Sequence, residues 1–451
     1  MNYEECMDYL EEINNNNGMI FGLFPMKNML KYIGNPEKKL RIIHIAGTNG
    51  KGSTGAFLSS ILSEAGYKVG RYVSPSVDGY RERIQYEKNG IKTYISEEEV
   101  ARYLTRIKET NEILMPENER SLTTFEMETV MSVMAFSDWN CDYVILECGL
   151  GGKDDATNAI DNKELCIFTS ISKDHMKILG NSVEEIAYNK AGILRKNVKA
   201  VSAVMSEEVM KVLNKVAKEY STIVERCEHI GNCVFTMDGT DFQLNGVDSK
   251  ISGTGFHINM PGVYQPENAA LAIKAALVLF EMNSYNNTDN NNDNTLERRF
   301  PYPYIDIIRN GLKKAVWPKR FQVVRSNPYV IIDGAHNVDG IRKLKESIIL
   351  LCTTKKDSLS DNKPIGIMGV FADKEVEAML WEIKGLFVEI HTVTAPSPRA
   401  MEANVLAGLI DEICDTNAVS HDNMTAMEVC DMLIENGNNN DIVIFGSLSL
   451  T

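Results

Sequence analysis

A glycine-rich loop that contains one lysine is the part of this sequence best suited to chemistry. The loop runs from Gly47 to Ser53, follows an apolar stretch at Ile42–Ala46, and precedes Lys51–Ala65, whose apolar residues recur at helical spacing. Glycines let the backbone approach an anion closely, the first-turn N–H groups of a helix point at it, and Lys51 adds a positive charge. The pattern predicts a phosphate-binding loop, although a tight turn with a solvated lysine would have the same spacing.

Three further polar side chains follow predicted strands, and each could assist at such a site. They are Ser74 after the strand Tyr67–Val73, Glu147 at the end of the strand Tyr143–Glu147, and His175 after the strand Leu165–Thr169. Carboxylate and hydroxyl oxygens suit Mg²⁺ when phosphate oxygens and water complete its coordination. The sequence therefore allows a Mg²⁺ site at Glu147 and Ser74, with His175 binding a second cation or orienting a phosphate. The alternatives are a carboxylate that only caps the following glycine turn and a histidine with neither role.

These side chains require a sheet that brings the ends of its strands together. Strands alternate with helices along the chain, which indicates a mostly parallel sheet whose ligands gather beyond the strand C-termini. Helices are predicted at 3–31 with a break near 14–18, at 97–114, at 124–140 and at 183–194. The methionine stripe of the third helical region is expected to lie in the core.

The length of 451 residues makes two domains the expected arrangement. A change of composition at Ala315–Pro318 suggests a linker at 315–320, after which predicted strands return at Tyr329–Asp333, Ile365–Val370 and Asp441–Phe445. We therefore expect an α/β protein with an N-terminal P-loop domain of mostly parallel sheet at 1–314 and a smaller C-terminal, Rossmann-like α/β domain at 321–451. The asparagine-rich stretch Asn283–Asn294 is predicted to be a mobile surface insertion.

Composition and charge exclude some classes of partner. The formal net charge of −15 argues against nucleic acid as the main partner, and no apolar run approaches membrane-spanning length. Nine cysteines are scattered without a CxxC pair, which is typical of core thiols in a reducing compartment. Because the N-terminus lacks the apolar core of a signal peptide, we expect a cytoplasmic protein. We also expect a monomer.

Four other residues give only weak signals by themselves. Asp333 and His336 lie at the end of a C-terminal strand, as in a turn that contacts a nucleotide, and Arg320 beside the linker could reach across a cleft toward phosphate. A surface arginine is an equal alternative for Arg320. Lys190 lies on a predicted helix, and taken alone it is interpreted as a solvated lysine.

The motifs taken together resemble the folylpolyglutamate synthase/dihydrofolate synthase family, within the wider Mur ligase group. The resemblance extends in order along nearly the whole chain. It rests on the loop from His44 to Ser53, on Ser74-Pro75 with Tyr80–Ile84, on Thr123–Glu126, on Glu147–Gly152 with Asp155–Asn158, on Asp174-His175, Leu179-Gly180, Ile186-Ala187 and Lys190–Ile193, and on Asn268-Ala269, Trp317–Phe321, Asp333–Asn337 and Phe445–Leu448. The chain departs from the family's usual residues at Ser76, Lys153, Asp154 and Asn189.

This resemblance implies a role for each motif. The phosphates of ATP would be held by Thr48, Asn49, Gly50, Lys51, Gly52 and Ser53, and further ATP contacts would come from Asn268, Arg320 and Asp333. Mg²⁺ would be bound by Ser74, Glu147 and His175. The pterin part of a folate would contact Thr123, Thr124, Phe125 and Glu126 together with Asp154, Asp155 and Ala156. Lys51, Lys190 and His336 would act in catalysis, and Lys190 matches a lysine that the family carboxylates with CO₂.

The activity that the resemblance implies is ATP-dependent ligation of L-glutamate to the carboxylate of a folate or a dihydropteroate, through an acyl phosphate. It would belong to folate biosynthesis and one-carbon metabolism, with an ATP-binding domain at 1–314 and a glutamate-ligase domain at 321–451. The sequence leaves open which acceptor is used. Two alternatives also stay open: a Mur-type ligase acting on a UDP-linked cell-wall precursor, and a nucleotide-binding module without ligase turnover.

Overall fold

The computed structural model of the protein describes residues 1–17, 22–77, 79–118, 120–246, 251–288, 302–352 and 363–450. Contacts between residues divide the chain into two compact units. The first comprises Met1–His229, Leu244–Thr254 and Glu267–Ala315, and the second comprises Ile230–Gln243, Gly255–Pro266 and Val316–Thr451. The functional domain limits of 1–314 and 321–451 stay a prediction. Among the described residues, no helix is both long and apolar enough to cross a membrane.

The strands are numbered in chain order. They are β1 (Ile42–Ala46), β2 (Val69–Tyr72), β3 (Ile84–Lys88), β4 (Ile91–Tyr94), β5 (Tyr143–Glu147), β6 (Lys163–Phe168), β7 (Lys199–Ser202), β8 (Val224–Arg226), β9 (His229–Thr236), β10 (Gly239–Asn245), β11 (Gly255–Ile258), β12 (Gln322–Ser326), β13 (Tyr329–Asp333), β14 (Ile365–Met368), β15 (Glu389–Val393), β16 (Asn417–His421) and β17 (Ile442–Phe445).

The α-helices follow the same numbering. They are α1 (Tyr3–Asn17), α2 (Phe24–Tyr32), α3 (Lys51–Glu64), α4 (Glu97–Asn118), α5 (Thr124–Asp138), α6 (Met176–Leu179), α7 (Val183–Ala191), α8 (Glu207–Glu219), α9 (Gln265–Thr288), α10 (Tyr302–Lys314), α11 (Val338–Cys352), α12 (Val376–Ile383), α13 (Ala403–Ile413) and α14 (Ala426–Glu435).

An eight-stranded sheet forms the centre of the first unit. Its strand order is β4-β3-β2-β5-β1-β6-β7-β8. Every neighbouring pair from β2 to β8 in this order is parallel. Strand β3 is antiparallel to both of its neighbours, β2 and β4. Every residue of β1 and β5 is buried, as expected for central strands of a parallel sheet that helices cover on both faces. The mostly parallel sheet expected from the sequence is confirmed.

Helix α3 packs tightly against α10 within the first unit. The hydroxyl of Ser60 donates to the carbonyl oxygen of Gly311 over 2.7 Å. A Cβ at Gly311 would lie only 2.5 Å from the Cα of Ile61, so the two helix backbones touch where the glycine has no side chain. The C-terminal part of the helix that begins at the glycine loop is therefore held against α10.

Most of the predicted elements are present, with shifted ends. Strands β1 and β5 have the predicted bounds, and α4 and α5 begin at the predicted residues. The methionine stripe of α5 is buried, and eight of the nine cysteines are buried, as predicted. Apolar side chains at helical or strand spacing define these elements locally, whereas their ends depend on tertiary contacts.

The prediction of a mobile insertion at Asn283–Asn294 is wrong for its first part. Helix α9 continues to Thr288. The side-chain amide of Asn283 donates to the hydroxyls of Tyr67 and Tyr143 over 3.1 and 2.8 Å, and its oxygen accepts from Arg41 over 2.7 Å. These three contacts fix Asn283 in place. Residues 289–294 lie outside the described residues.

The second unit is built on a six-stranded sheet of order β12-β13-β17-β14-β15-β16. All neighbouring strands are parallel except the β12–β13 pair. Buried apolar residues on the two faces form two clusters, to which α11, α12 and α13 contribute on one face and α14 on the other. This arrangement confirms the expected α/β architecture. A separate three-stranded sheet has the order β11-β10-β9.

Candidate active site

The glycine loop joins β1 to α3 at the C-terminal edge of the first sheet. Thr48 anchors it to the segment after β6: its N–H donates to the carbonyl of Ser170 over 2.7 Å, and its hydroxyl donates to the carbonyl of Ser172 over 3.0 Å. Gly50 precedes the helix with φ of +89°, a left-handed conformation that strongly favours glycine. The loop thus leaves the first-turn N–H groups of α3 at the strand edge, as a phosphate site requires.

Two lysine ammonium groups converge on one carbonyl oxygen of this loop. Lys51 Nζ donates to the carbonyl of Gly47 over 3.2 Å, and Lys190 Nζ donates to the same oxygen over 2.9 Å. Lys190 is almost wholly buried, and burial together with the nearby Lys51 charge lowers the pKa of Lys190 to about 7. The structure therefore brings together two lysines that are 139 positions apart in the sequence, and the charge of one favours the neutral form of the other.

Glu147, Ser74 and His175 follow neighbouring parts of the same sheet edge. Glu147 ends β5 beside β1, with its Oε1 4.0 Å from Lys51 Nζ, and it is 7% exposed. Ser74 lies two residues beyond β2, which pairs with β5. His175 precedes α6 with φ of +50°, and its side chain is 37% exposed. A buried carboxylate beside a loop predicted to bind phosphate is chemically suited to a hard cation such as Mg²⁺.

Asn268, a predicted ATP contact, also lies against the loop. A Cβ built on Gly50 would stand 2.3 Å from Asn268 Oδ1, so the amide occupies the space that a side chain at position 50 would need. The site of the first unit therefore combines residues from the loop after β1 and from β5, α3, α7 and α9.

Sequence reasoning missed a buried arginine beneath the loop. Arg71 on β2 is 1% exposed, and its Nη2 donates to the carbonyl of Gly52 in the first turn of α3 over 3.0 Å. A lone arginine within an apolar strand carries no motif, so its position could be found only from the fold.

The segment predicted to contact a pterin forms the N-terminus of α5. Thr123 and Glu126 make a capping box, in which each side chain accepts from the other's backbone N–H. Glu126 also forms a bidentate ion pair with Arg120, whose Nη1 and Nη2 each donate to one carboxylate oxygen over 2.7 Å. Thr124 donates its hydroxyl to the carbonyl of Leu10 over 3.0 Å. Three of the four predicted residues thus already have structural partners within the protein.

Phe125 is the fourth residue of this segment, and it faces the end of β5. A Cβ built on Gly149 would lie only 2.6 Å from Phe125 Cζ, so the ring packs against this glycine. The ring centroids of Phe125 and Tyr72 are 5.7 Å apart. An aromatic surface at this position could stack on a flat heterocycle, which is consistent with the role predicted for it.

The Asp154–Ala156 segment contains one exposed and one buried carboxylate. Asp154 is exposed, whereas Asp155 accepts from the N–H groups of Leu150 and Thr157 over 2.9 and 3.0 Å and from the Thr157 hydroxyl. Burial raises the pKa of Asp155, and these hydrogen bonds oppose the shift. Ala156 is buried. Asp155 therefore holds the Gly149–Gly152 loop in shape.

His44 and Cys148 form a buried network with this aspartate that the sequence did not reveal. His44 Nε2 lies 2.7 Å from Thr157 Oγ1 and 3.1 Å from Cys148 Sγ. Burial lowers the pKa of His44 and raises that of Cys148, so both groups are neutral. The ligand atoms of His44, Cys148 and Asp155 lie close enough together to hold a metal, but each of the three residues also contacts the Thr157 hydroxyl, which accounts for their arrangement.

Asn189, a departure from the family pattern, has a clear structural role. Its Oδ1 accepts from the N–H of Gly152 over 3.0 Å, and its backbone carbonyl accepts from the N–H of Lys153 over 2.9 Å. Because Asn189 precedes Lys190 on α7, these bonds tie the glycine-rich loop to the helix that carries the buried lysine.

The predicted nucleotide residues of the C-terminal part lie together in the second unit. Asp333 accepts from the Tyr264 hydroxyl over 2.6 Å and from the N–H groups of Phe321 and Ala335, each over 2.8 Å. Burial raises the pKa of Asp333, while its hydrogen bonds and the charge of Arg320 oppose that shift. His336 Nδ1 donates to the carbonyl of Gly334 over 2.7 Å. Tyr264, distant in sequence, was not predicted.

Comparison with known proteins defines the class to which this fold and site belong. The family model of the Mur ligase middle domain matches residues 45–276, and that of the Mur ligase glutamate ligase domain matches residues 319–448. The chain is therefore an ATP-dependent ligase of the Mur type.

Individual relatives identify the branch of this class. A dihydrofolate synthase/folylpolyglutamate synthase of Bacillus subtilis is 33% identical over 437 residues, covering 95% of this chain and 92% of that protein. The Mycobacterium tuberculosis folylpolyglutamate synthase complexed with ADP and AMPPCP has a TM-score of 0.82 at 25% identity, covering 99% of this chain and 97% of that one. An FPGS–AMPPCP–folate complex has a TM-score of 0.79 at 25% identity, covering 100% and 98%. The chain belongs to the folylpolyglutamate synthase/dihydrofolate synthase family.

Proposed function

We propose that this ligase joins L-glutamate to the carboxylate of a folate or a dihydropteroate at the expense of ATP. The observation that carries the proposal is the convergence of Lys51, Lys190 and Glu147 at the glycine loop of a chain in this family. The relatives named as folylpolyglutamate and dihydrofolate synthases, and the FPGS complex with AMPPCP and folate, support the choice of substrates.

The proposed reaction proceeds through an acyl phosphate. A carboxylate oxygen of the acceptor attacks the γ-phosphorus of ATP, and the bond to the bridging oxygen breaks as ADP leaves. The amine of glutamate then attacks the acyl carbon, loses a proton, and displaces inorganic phosphate to leave the amide. Lys51 and the first-turn N–H groups of α3 orient the triphosphate and offset the charge on the transferring group.

The oxygen donors at the sheet edge fit Mg²⁺. Glu147 supplies a buried anionic oxygen beside the loop, and Ser74 a hydroxyl, which are hard ligands of the kind Mg²⁺ takes alongside phosphate oxygens and water. When bound, Mg²⁺ supplies positive charge to the phosphate oxygens. We assign Glu147, Ser74 and His175 to this site. The ATP contacts assigned to Asn268, Arg320 and Asp333, the catalytic role of His336, the monomeric state and the cytoplasmic location remain predictions.

An assay of the purified chain tests the proposal. With ATP, Mg²⁺ and glutamate, we expect ADP release to depend on the acceptor, and mass spectrometry to show the acceptor extended by one glutamate. Dihydropteroate and tetrahydrofolate should be compared as acceptors. ATP hydrolysis that ignores both glutamate and acceptor would contradict the proposal, and stimulation by a UDP-linked cell-wall precursor instead would favour the Mur-type alternative. Tight ATP binding without any stimulation would favour the non-catalytic module.

Lys190 should react with CO₂. Its neutral amine can attack the carbon of CO₂ and lose a proton, which yields a carbamate anion near the proposed metal site. Because the pKa of Lys190 is lowered to about 7, the amine becomes nucleophilic as the pH rises through that value. At a constant pressure of ¹³C-labelled CO₂, we expect a carbamate NMR resonance that grows from about pH 6 to pH 8. The resonance should be missing in Lys190→Gln, and its persistence there would assign it to another amine.

The capping box of α5 allows a test of the pterin segment. Thr123→Ala removes an N-cap and should cost about 1 kcal/mol of stability. Thr425→Ala removes the matching capping box of α14 in the second unit and is the control. We expect both variants to unfold at lower urea, but only Thr123→Ala to raise the KM for the folate acceptor. Equal KM values in the two variants would reduce Thr123 to a structural role.

A further inference from the structure

Arg71 is a buried cation with no part in the mechanism described so far. Its side chain is 1% exposed within the first unit, on a strand whose four residues are all buried. Removing an arginine from water is costly unless its charge and its donors are compensated. The groups around Arg71 therefore indicate what it does.

The direction of the Arg71 side chain follows from the packing. A Cβ at Gly55 on α3 would lie 3.3 Å from Arg71 Nη2 and 3.6 Å from Ile145 Cγ2. Arg71 and Ile145 are partners across the parallel β2–β5 pair, so both side chains point to the face that α3 covers. The lack of a side chain at Gly55 makes room for the guanidinium.

Glu147 lies on the same face as Arg71. It is two residues beyond Ile145 on β5, and side chains two apart on a strand share a face. Burial lowers the pKa of Arg71, and the carboxylate of Glu147 is the strongest of the charges that oppose the shift, ahead of Glu87 and Glu82. The carboxylate of Glu147 therefore interacts with two cations, Lys51 at 4.0 Å and, through its charge, Arg71.

Arg71 also makes a hydrogen bond to the loop itself. Its Nη2 donates to the carbonyl of Gly52, one residue beyond Lys51. A guanidinium has five donors in a rigid plane and can hold two acceptors at fixed directions, which an ammonium on a flexible stem cannot do.

We propose that Arg71 is a positioning residue that fixes the Glu147 carboxylate and the first turn of α3 in one arrangement, so that metal and nucleotide bind together. The inference rests on the proposed function of Glu147 as a metal ligand. Arg71 itself would touch neither metal nor nucleotide and would act through Glu147 and Gly52. Partners that orient a metal ligand from behind typically contribute 10- to 100-fold, as an order of magnitude, in metal affinity or activity.

Binding of AMPPCP to the full chain, measured by calorimetry across a Mg²⁺ titration, tests this role. Arg71→Met removes the charge and the donors but keeps an apolar stem. We expect the Mg²⁺ concentration for half-maximal binding to rise by about 10-fold or more. Arg41→Met is the matched control, because Arg41 pairs with Glu164 over 2.6 Å just before β1, at the opposite end of the strand from the loop. It should match the wild type.

An unchanged Mg²⁺ requirement in Arg71→Met, or an equal shift in Arg41→Met, would overturn the inference while the wild type still binds nucleotide. If Arg71→Met does not fold, Arg71→Lys decides the matter: a raised Mg²⁺ requirement supports positioning by the planar fork, and wild-type behaviour rejects it. If the wild type itself binds no AMPPCP with Mg²⁺, the proposed function fails and the inference fails with it.

Discussion

Replacing Lys51 with alanine should reduce acceptor-dependent ligation by about 10²- to 10³-fold, the usual effect of removing one preorganised charge from a reacting group. Lys51 begins α3, and its ammonium donates to the carbonyls of Gly47 and Thr48, so its charge is already held beside the loop. We expect the loss to appear mainly in kcat, because the charge on the phosphoryl oxygens is redistributed during transfer.

Lys88→Ala provides the control for this prediction, since Lys88 is an exposed lysine on β3 of the same unit. It should retain wild-type turnover. Turnover of Lys51→Ala within a few-fold of the wild type would contradict both the phosphate site and the ligase mechanism built on it.

Glu147→Gln should have the second large effect, a loss of turnover of about 10²-fold. The amide keeps the shape of the side chain but removes the anionic oxygen proposed to bind Mg²⁺. It also leaves the charges of Lys51 and Arg71 without their shared counter-charge. We expect the Mg²⁺ concentration for half-maximal rate to rise together with the fall in kcat, measured by ADP release.

Glu128→Gln separates metal binding from the burial of a carboxylate. Glu128 is 3% exposed and pairs with Arg83 over 2.8 Å in the same unit. Its amide variant should lose stability without a change in the Mg²⁺ requirement. A similar Mg²⁺ dependence in Glu147→Gln and the wild type would remove Glu147 from the metal site.

The turn from β1 into α3 could be predicted because its information is local, whereas its binding of phosphate stays a prediction. An apolar run, two glycines and a lysine at a helix start lie within fifteen residues, and each follows from backbone sterics or from the exposed N–H groups of a helix. The parallel sheet could be predicted for the same reason, since buried strands alternate with helices at regular spacing.

The environment of Lys190 could not be predicted from local pattern. The lysine lies on a short helix, and only the fold brings its ammonium to the carbonyl of Gly47, 143 residues earlier. The resemblance to a family identified Lys190 as a special residue, but the physical cause, burial beside a second lysine, required the structure.

Arg71 and Tyr264 show the same limit for residues without any motif. Each is a long side chain whose polar end reaches one atom of another element, Gly52 in the first case and Asp333 in the second. The sequence around each is unremarkable, because what matters is the partner across the fold. Such residues have to be found from burial and hydrogen bonds.

The contact between Gly311 and Ile61 implies that nucleotide affinity can be lost through a lesion far from the ligand. Ile61 lies ten positions after Lys51 on α3, a distance of about 15 Å along the helix axis. Any side chain at position 311 would meet the backbone of α3, which cannot rotate away as a flexible side chain could. We expect α3 to shift and to move the loop with it, so that a substitution at position 311 would weaken the enzyme without touching its substrates.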